Sequence, residues 1–79
     1  MENQMTKEDF IKLFPDEATA IEQSFDTPKR VSLRLPCKGY VHECWLIQVH
    51  DAKGYRTLVK EPDGRTYKLR KRIFYSELD

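Results

Sequence analysis

The chain has 79 residues, 39% of them hydrophobic and 34% charged, with a formal net charge of +1. This describes one small globular domain, because domains of roughly 100–200 residues are usual and shorter ones fold alone. It argues against disordered and membrane-spanning chains. The apolar run Trp45-Leu46-Ile47 is far too short to cross a bilayer, and no basic segment followed by an apolar one opens the chain. A cytoplasmic setting without membrane contact is therefore expected.

Residues 1–5 read as a flexible tail, and residues 6–26 as a helical segment. Thr6-Lys-Glu-Asp9 is a Thr-x-x-acid pattern that caps a helix, with Glu8 and Asp9 at its positive end. The residue before proline is pushed out of the α region, so Phe14-Pro15 ends this helix and Pro15 opens a second. Phe14, Ala18, Ile21 and Phe25 recur at helical spacing and predict one buried stripe. Asp26-Thr27-Pro28 stops the second helix.

Residues 30–75 read as an antiparallel sheet. Val31, Leu33 and Leu35 alternate with Ser32 and Arg34, as in a strand with one buried face. By parity, the strand Val41–His50 puts Val41, Glu43, Trp45, Ile47 and Val49 on one side and His42, Cys44, Leu46, Gln48 and His50 on the other. Asp51-Ala-Lys-Gly54 and Glu61-Pro-Asp-Gly64 are tight turns in which glycine supplies the positive φ. They join this strand to Tyr55–Lys60 and that one to Thr66–Arg70. Ile73, Phe74 and Leu78 are expected to fold back onto the core. Phe14, Ile21, Phe25, Leu33, Trp45, Ile47 and Tyr67 are expected to share one core. The predicted fold is α+β: two short N-terminal helices packed on a small antiparallel meander, ribbon-like without metal or barrel-like.

The net charge conceals an asymmetry. Residues 1–28 hold seven acids against Lys7 and Lys12, a balance of −5, and the remainder holds twelve basic side chains against six acids, a balance of +6. The two halves could attract each other within one fold, or the basic half could face a polyanion.

Chemistry-bearing constellations are few. Cys37, His42, Cys44 and His50 are soft metal ligands, and by parity His42, Cys44 and His50 share a face. Yet an unbroken strand would hold Cys44 and His50 roughly 20 Å apart, so no metal site and no cofactor are assigned. Two cysteines not spaced Cys-x-x-Cys are expected as free thiols. His42 and Cys44 have no orienting third group, and no phosphate-binding glycine loop is present, so no catalytic residue is assigned and the chain is not expected to be an enzyme.

A nucleic-acid signal is more concrete. Lys68, Arg70 and Arg72 share a parity, Lys71 adjoins them, Arg56 and Lys60 lie on the facing strand, and Tyr40, Tyr55 and Tyr67 are interleaved. Cations attract phosphate and tyrosines offer stacking surfaces. The expected nucleic-acid-binding residues are Arg56, Lys60, Tyr67, Lys68, Arg70, Lys71 and Arg72. The alternative is that long basic stems simply cover a small sheet.

The stretch Met5–Glu22, with its Phe14-Pro15-Asp16-Glu17 segment, resembles the opening of the N-terminal zinc-ribbon domain in a group of insertion-sequence transposases. Gly54-Tyr55-Arg56, Gly64-Arg65-Thr66-Tyr67 and Ile73-Phe74 are similar to that domain's second knuckle and following strand. The ligand cysteines are missing, because Leu35-Pro36-Cys37-Lys38-Gly39 and Lys60-Glu61-Pro62-Asp63-Gly64-Arg65 stand where the family carries its knuckles. The resemblance implies a metal-free relative of a DNA-binding or targeting module, held by packing instead of zinc. Cys44-Trp45, Asp51-x-x-Gly54-Tyr55 and Gly64-Arg65 also resemble strands of some phage-type HNH nucleases, but the histidine that begins their catalytic centre is not found after Tyr67. The expected function is a small non-catalytic nucleic-acid-binding module. The alternative is a protein-interaction module, or a small phage or mobile-element regulator or inhibitor, that binds another protein.

Overall fold

A computed structural model of the chain describes residues 5–36, 38–70 and 73–78. The first helix, α1 (Lys7–Leu13), begins at a capping box: Thr6 Oγ1 accepts from the Asp9 N–H at 3.2 Å, and the Asp9 carboxylate accepts from the Thr6 N–H at 2.9 Å. Met5, expected in the tail, packs against the helical core, while residues 1–4 lie outside the described residues. Phe14 ends α1, and Pro15 opens a single 3₁₀ turn (Pro15–Glu17) that runs into α2 (Ala18–Gln23).

Five strands follow: β1 (Lys29–Leu35), β2 (Gly39–Asp51), β3 (Gly54–Lys60), β4 (Thr66–Leu69) and β5 (Phe74–Glu77). All neighbours are antiparallel, and the order is β4-β3-β2-β1-β5. The first four strands form a meander, and the fifth returns to lie beside the first. Both expected glycine turns are present, with φ of +107° at Gly54 and +101° at Gly64. Each is tightened by an aspartate that accepts a backbone N–H two residues on, Asp51 from Lys53 and Asp63 from Arg65.

The expected single core is two cores, one on each face of the sheet. On one face Phe10, Phe14, Ala20 and Ile21 of the helical segment meet Ile47, Val49 and Leu58, with half-buried Trp45 alongside. The Phe10 and Phe14 rings stack at 5.9 Å. On the other face Val31, Leu33, Cys44, Leu46 and Val59 are fully buried or nearly so, and Val41, Tyr67, Leu69, Ile73 and Tyr75 pack against them. Leu33 and Tyr67 therefore belong to a different cluster from Phe14, Ile21 and Ile47. A sheet with apolar side chains on both faces needs a cover on each: the helices supply one, and β4 and β5 supply the other.

Two residues depart from the expected pattern for local reasons. Phe25 is fully exposed, not core. Ser24 leaves the helix with an extended backbone (φ −68°, ψ 140°), and its hydroxyl donates to the Gln48 carbonyl at 2.7 Å and accepts from the Asp26 N–H. The helix ends at Gln23, so the periodicity that would have carried Phe25 inward stops two residues before it. Phe74 is likewise exposed, because β5 pairs Leu33 with Tyr75 and Arg34 with Phe74, so Tyr75 takes the inward position.

Phe10→Ala should cost about 3–5 kcal/mol, the usual range for emptying a buried phenylalanine site, and so remove most of the stability of a domain this small. Phe25→Ala should leave the thermal midpoint nearly unchanged. A pair of melting curves checks both, and a large drop for Phe25→Ala would contradict the register described here.

Candidate functional site

Two cations of the expected basic face, Arg56 and Lys68, are paired with carboxylates of the fold itself. Arg56 is 3% exposed, because Val49↔Arg56 pairing turns it toward the helices. Its guanidinium donates to Glu17 at 2.6 Å and to Asp51 at 2.9 Å, and also to the Gly54 carbonyl at 2.8 Å. Lys68 on the neighbouring strand reaches Asp16 at 2.8 Å and Glu17 at 3.4 Å. The acidic helical segment and the basic sheet thus meet in one fold at these residues. Arg56 is not available to an external phosphate, and Lys68 is shared with two carboxylates. Lys60 is half-buried at the end of β3, Arg70 is exposed just beyond β4, and Lys71 and Arg72 lie outside the described residues.

Charge states follow from these contacts. The Arg56 side chain, and then the Lys53 backbone N–H, hold the Asp51 carboxyl down to about 2. Glu17 is also lowered, chiefly by its Arg56 hydrogen bonds, although burial opposes this. Arg56 is raised in turn by Asp51 and Glu17. Asp16 is lowered and Lys68 raised by the bond between them.

Tyr67 is half-buried beneath a second polar junction. Its phenol donates to Glu61, which is itself buried and accepts from Lys38 at 2.7 Å. Burial and the Glu61 bond push the phenol's pKa up, and Lys38 and Tyr67 hold the carboxyl down. The junction ties the loop between β1 and β2 to the loop between β3 and β4.

His42 does not share a face with Cys44 as strand parity had suggested, whereas His50 keeps the parity of Cys44 along the regular part of β2. Val31 pairs with Cys44 but Leu33 pairs with Val41, so three steps on β2 match two on β1. This is a β-bulge at His42-Glu43, where Glu43 adopts φ 61°. The extra residue sends Val41 and Cys44 to the same inner cluster and His42 to the outside. Burial pushes the Cys44 thiol up to about 11, which makes it an inert packed group. Among the described residues, no group of three or more His, Cys, Asp or Glu side chains could hold a metal ion. Cys37 lies outside the described residues.

The outer face of β2, β1 and β5 carries a different constellation. Tyr40 pairs with Arg34, and Arg34 pairs with Phe74, giving a row of ring, cation and ring across three strands. Tyr40 and Phe74 are 66% and 79% exposed. The Arg34 guanidinium lies 5.8 Å from the Tyr40 ring centroid. Behind this row His42 is hydrogen-bonded through Nδ1 to the Ser32 hydroxyl at 3.1 Å, and Ser32 pairs with Ser76. The His42 and Tyr40 rings lie parallel, 3° apart in plane and 6.1 Å between centroids. Glu43 meets this surface already paired with Arg30 at 2.9 Å. The sequence marked Arg34 as outward-facing and Tyr40 as an interleaved tyrosine, but nothing local signalled that β5 would bring Phe74 alongside.

No family model, curated protein or solved structure matches this chain. None of the described helices is long and apolar enough to cross a membrane.

The Arg56 cluster makes stability pH-dependent in a definite sense. Asp51 and Glu17 have folded pKa values below their ordinary values of 3.8 and 4.5, so they stabilise the fold above those values and lose that effect as pH falls. The thermal midpoint should be flat from pH 7 to about 5 and then fall progressively toward pH 2. Arg56→Ala should cost about 3 kcal/mol at neutral pH, because it strands the buried Glu17 carboxylate. Replacing both partners, Arg56→Met with Glu17→Leu, should restore most of the loss. Denaturant unfolding of the three proteins checks this, and a stable Arg56→Ala single variant would refute it.

Proposed function

We propose that this chain is a small non-catalytic module that binds nucleic acid, and that the contact surface is the outer face of β2, β1 and β5. The observation that carries this reading is the exposed row Tyr40–Arg34–Phe74. Aromatic faces and cations together are the chemistry that nucleic acids engage, with phosphate attracted by charge and bases by stacking. Arg34 has no carboxylate partner among the described residues, whereas Arg56 and Lys68 are held by Glu17, Asp51 and Asp16. Of the residues first expected to bind, Arg70 and Lys60 remain candidates for auxiliary phosphate contacts. The resemblance of the helical opening to a transposase DNA-binding module points the same way. On that reading Lys38–Glu61 joins the two turns that zinc would join in a ribbon. The meander with β5 returned beside β1 fits the barrel-like alternative better than the ribbon-like one.

A protein-interaction reading is favoured by a separate observation. Phe25 is fully exposed beside Tyr55, Gln48 and His50, which with neighbouring residues line a shallow cleft of about 260 Å³. An unpaired aromatic side chain at a cleft edge suits a polypeptide partner.

Elution from an immobilised DNA column across a salt gradient separates the two. With three to five phosphates contacted, log affinity for a duplex should fall with log salt at a slope of roughly −3 to −4.5. Arg34→Glu should abolish retention, Arg70→Glu should lower the slope by about one unit, and Lys68→Glu should leave retention unchanged. No retention of the unaltered protein at low salt would discard the nucleic-acid reading in favour of the Phe25 surface.

A further inference from the structure

We infer that the β2–β1–β5 face takes single-stranded nucleic acid, laid across the strands, with one base on Tyr40, another on Phe74 and the intervening phosphate on Arg34. This rests on the nucleic-acid reading above and assigns the form of its ligand. The register fixes the geometry. Tyr40, Arg34 and Phe74 occupy matched positions on three adjacent strands, so the two ring-bearing positions stand two strand spacings apart, roughly 10 Å, with the cation midway. All three point outward, because Val41, Leu33 and Tyr75, their neighbours on the same strands, take the inward positions. The row borders a shallow concavity of about 400 Å³ whose lining also includes Ser32 and Ser76.

The surface chemistry favours a single strand over a duplex. In a duplex the bases are stacked on one another, and only phosphates and groove edges would meet a flat sheet face. Tyr40 and Phe74 would then lie against charged backbone with no ring to cover them. In a single strand each base has a free face, and base–aromatic stacking tolerates any sequence because every base has one. The second row, His42 with Ser32 and Ser76, borders the rings with hydrogen-bonding groups that suit sugar and base edges. The His42–Ser32 bond and the parallel Tyr40 ring hold His42 in place against the platform.

Fluorescence anisotropy with a labelled oligothymidylate of about ten nucleotides tests the inference, since binding folds of this size cover roughly 4–16 nucleotides. The comparison probes are an abasic strand of the same length and a duplex of the same length. The oligothymidylate should bind at least tenfold more tightly than either. Tyr40→Ala and Phe74→Leu should each weaken it about tenfold or more, and Tyr40→Phe should leave it unchanged, because the ring and not the hydroxyl carries the contact. Both side chains are exposed, and Phe74→Leu keeps apolar bulk, so an unchanged melting midpoint confirms that each variant is folded. Equal, salt-dependent binding of the abasic strand or the duplex would overturn this inference and leave the nucleic-acid reading standing. Binding of the oligothymidylate unaffected by Tyr40→Ala and Phe74→Leu would do the same. No binding of any probe at low salt would end both.

Discussion

A guanidinium that is 3% exposed stays inside a protein only if its donors are matched and its charge is balanced, and Arg56 meets both conditions with residues far apart in sequence. Glu17 comes from the 3₁₀ turn, Asp51 from the end of β2, and the Gly54 carbonyl from the start of β3. The cluster therefore fixes where the helical segment sits on the sheet, beside the apolar contacts of Phe10, Phe14 and Ile21. Apolar contacts set the stacking of helix on sheet but are tolerant of sliding. A forked cation between two carboxylates is not, because a shift of an ångström leaves a donor and an acceptor unpaired in a poorly solvated place.

The same cluster decides which surface is left for a ligand. The acidic first third of the chain spends Asp16 and Glu17 on Arg56 and Lys68, so the part of the sheet face that the helices cover is closed both sterically and electrically. On the other face of the sheet β5 and β4 bury their inward side chains, and what remains open is the stretch of the helix-bearing face around β1 that the helices do not cover. The proposed contact surface therefore lies not on the strands with the densest basic sequence but on those with the exposed rings of Tyr40 and Phe74.

Much of the architecture was legible in the residues, and the misses have identifiable causes. The Thr6 cap, the break at Pro15 and the turns at Gly54 and Gly64 are each written in a few adjacent residues, and all are present. Phe25 was misplaced because helical spacing says nothing about where a helix ends, and the Ser24–Gln48 bond that ends it spans 24 residues. The faces of Val41 and His42 were misassigned relative to Cys44 and Leu46 because parity assumes an unbroken strand, and no residue type marks a bulge at Glu43, whose φ of 61° is unusual for a side chain other than glycine. The pairing of Arg56 and Lys68 was missed because counting cations on one strand leaves out the carboxylates that the helical segment lays over them. The Tyr40–Arg34–Phe74 row was hidden because it depends on pairing between β1 and β5, which no local pattern encodes.

That pairing also bears on the order in which the molecule assembles. Strands β1 to β4 are joined in turn by short connections, so each can close on its predecessor at little entropic cost. Strand β5 must instead find β1 across some forty residues of already formed sheet, and it does so with four residue pairs. Long-range closure of this kind comes late in folding, and a short edge strand is among the first elements to open in the native state. The Phe74 side of the row is therefore built on the least protected part of the sheet. A bound strand bridging Tyr40 and Phe74 would clasp β5 to β1, so that ligand occupancy and closure of this edge would reinforce each other, and backbone amides of β5 would exchange with solvent more slowly in the complex.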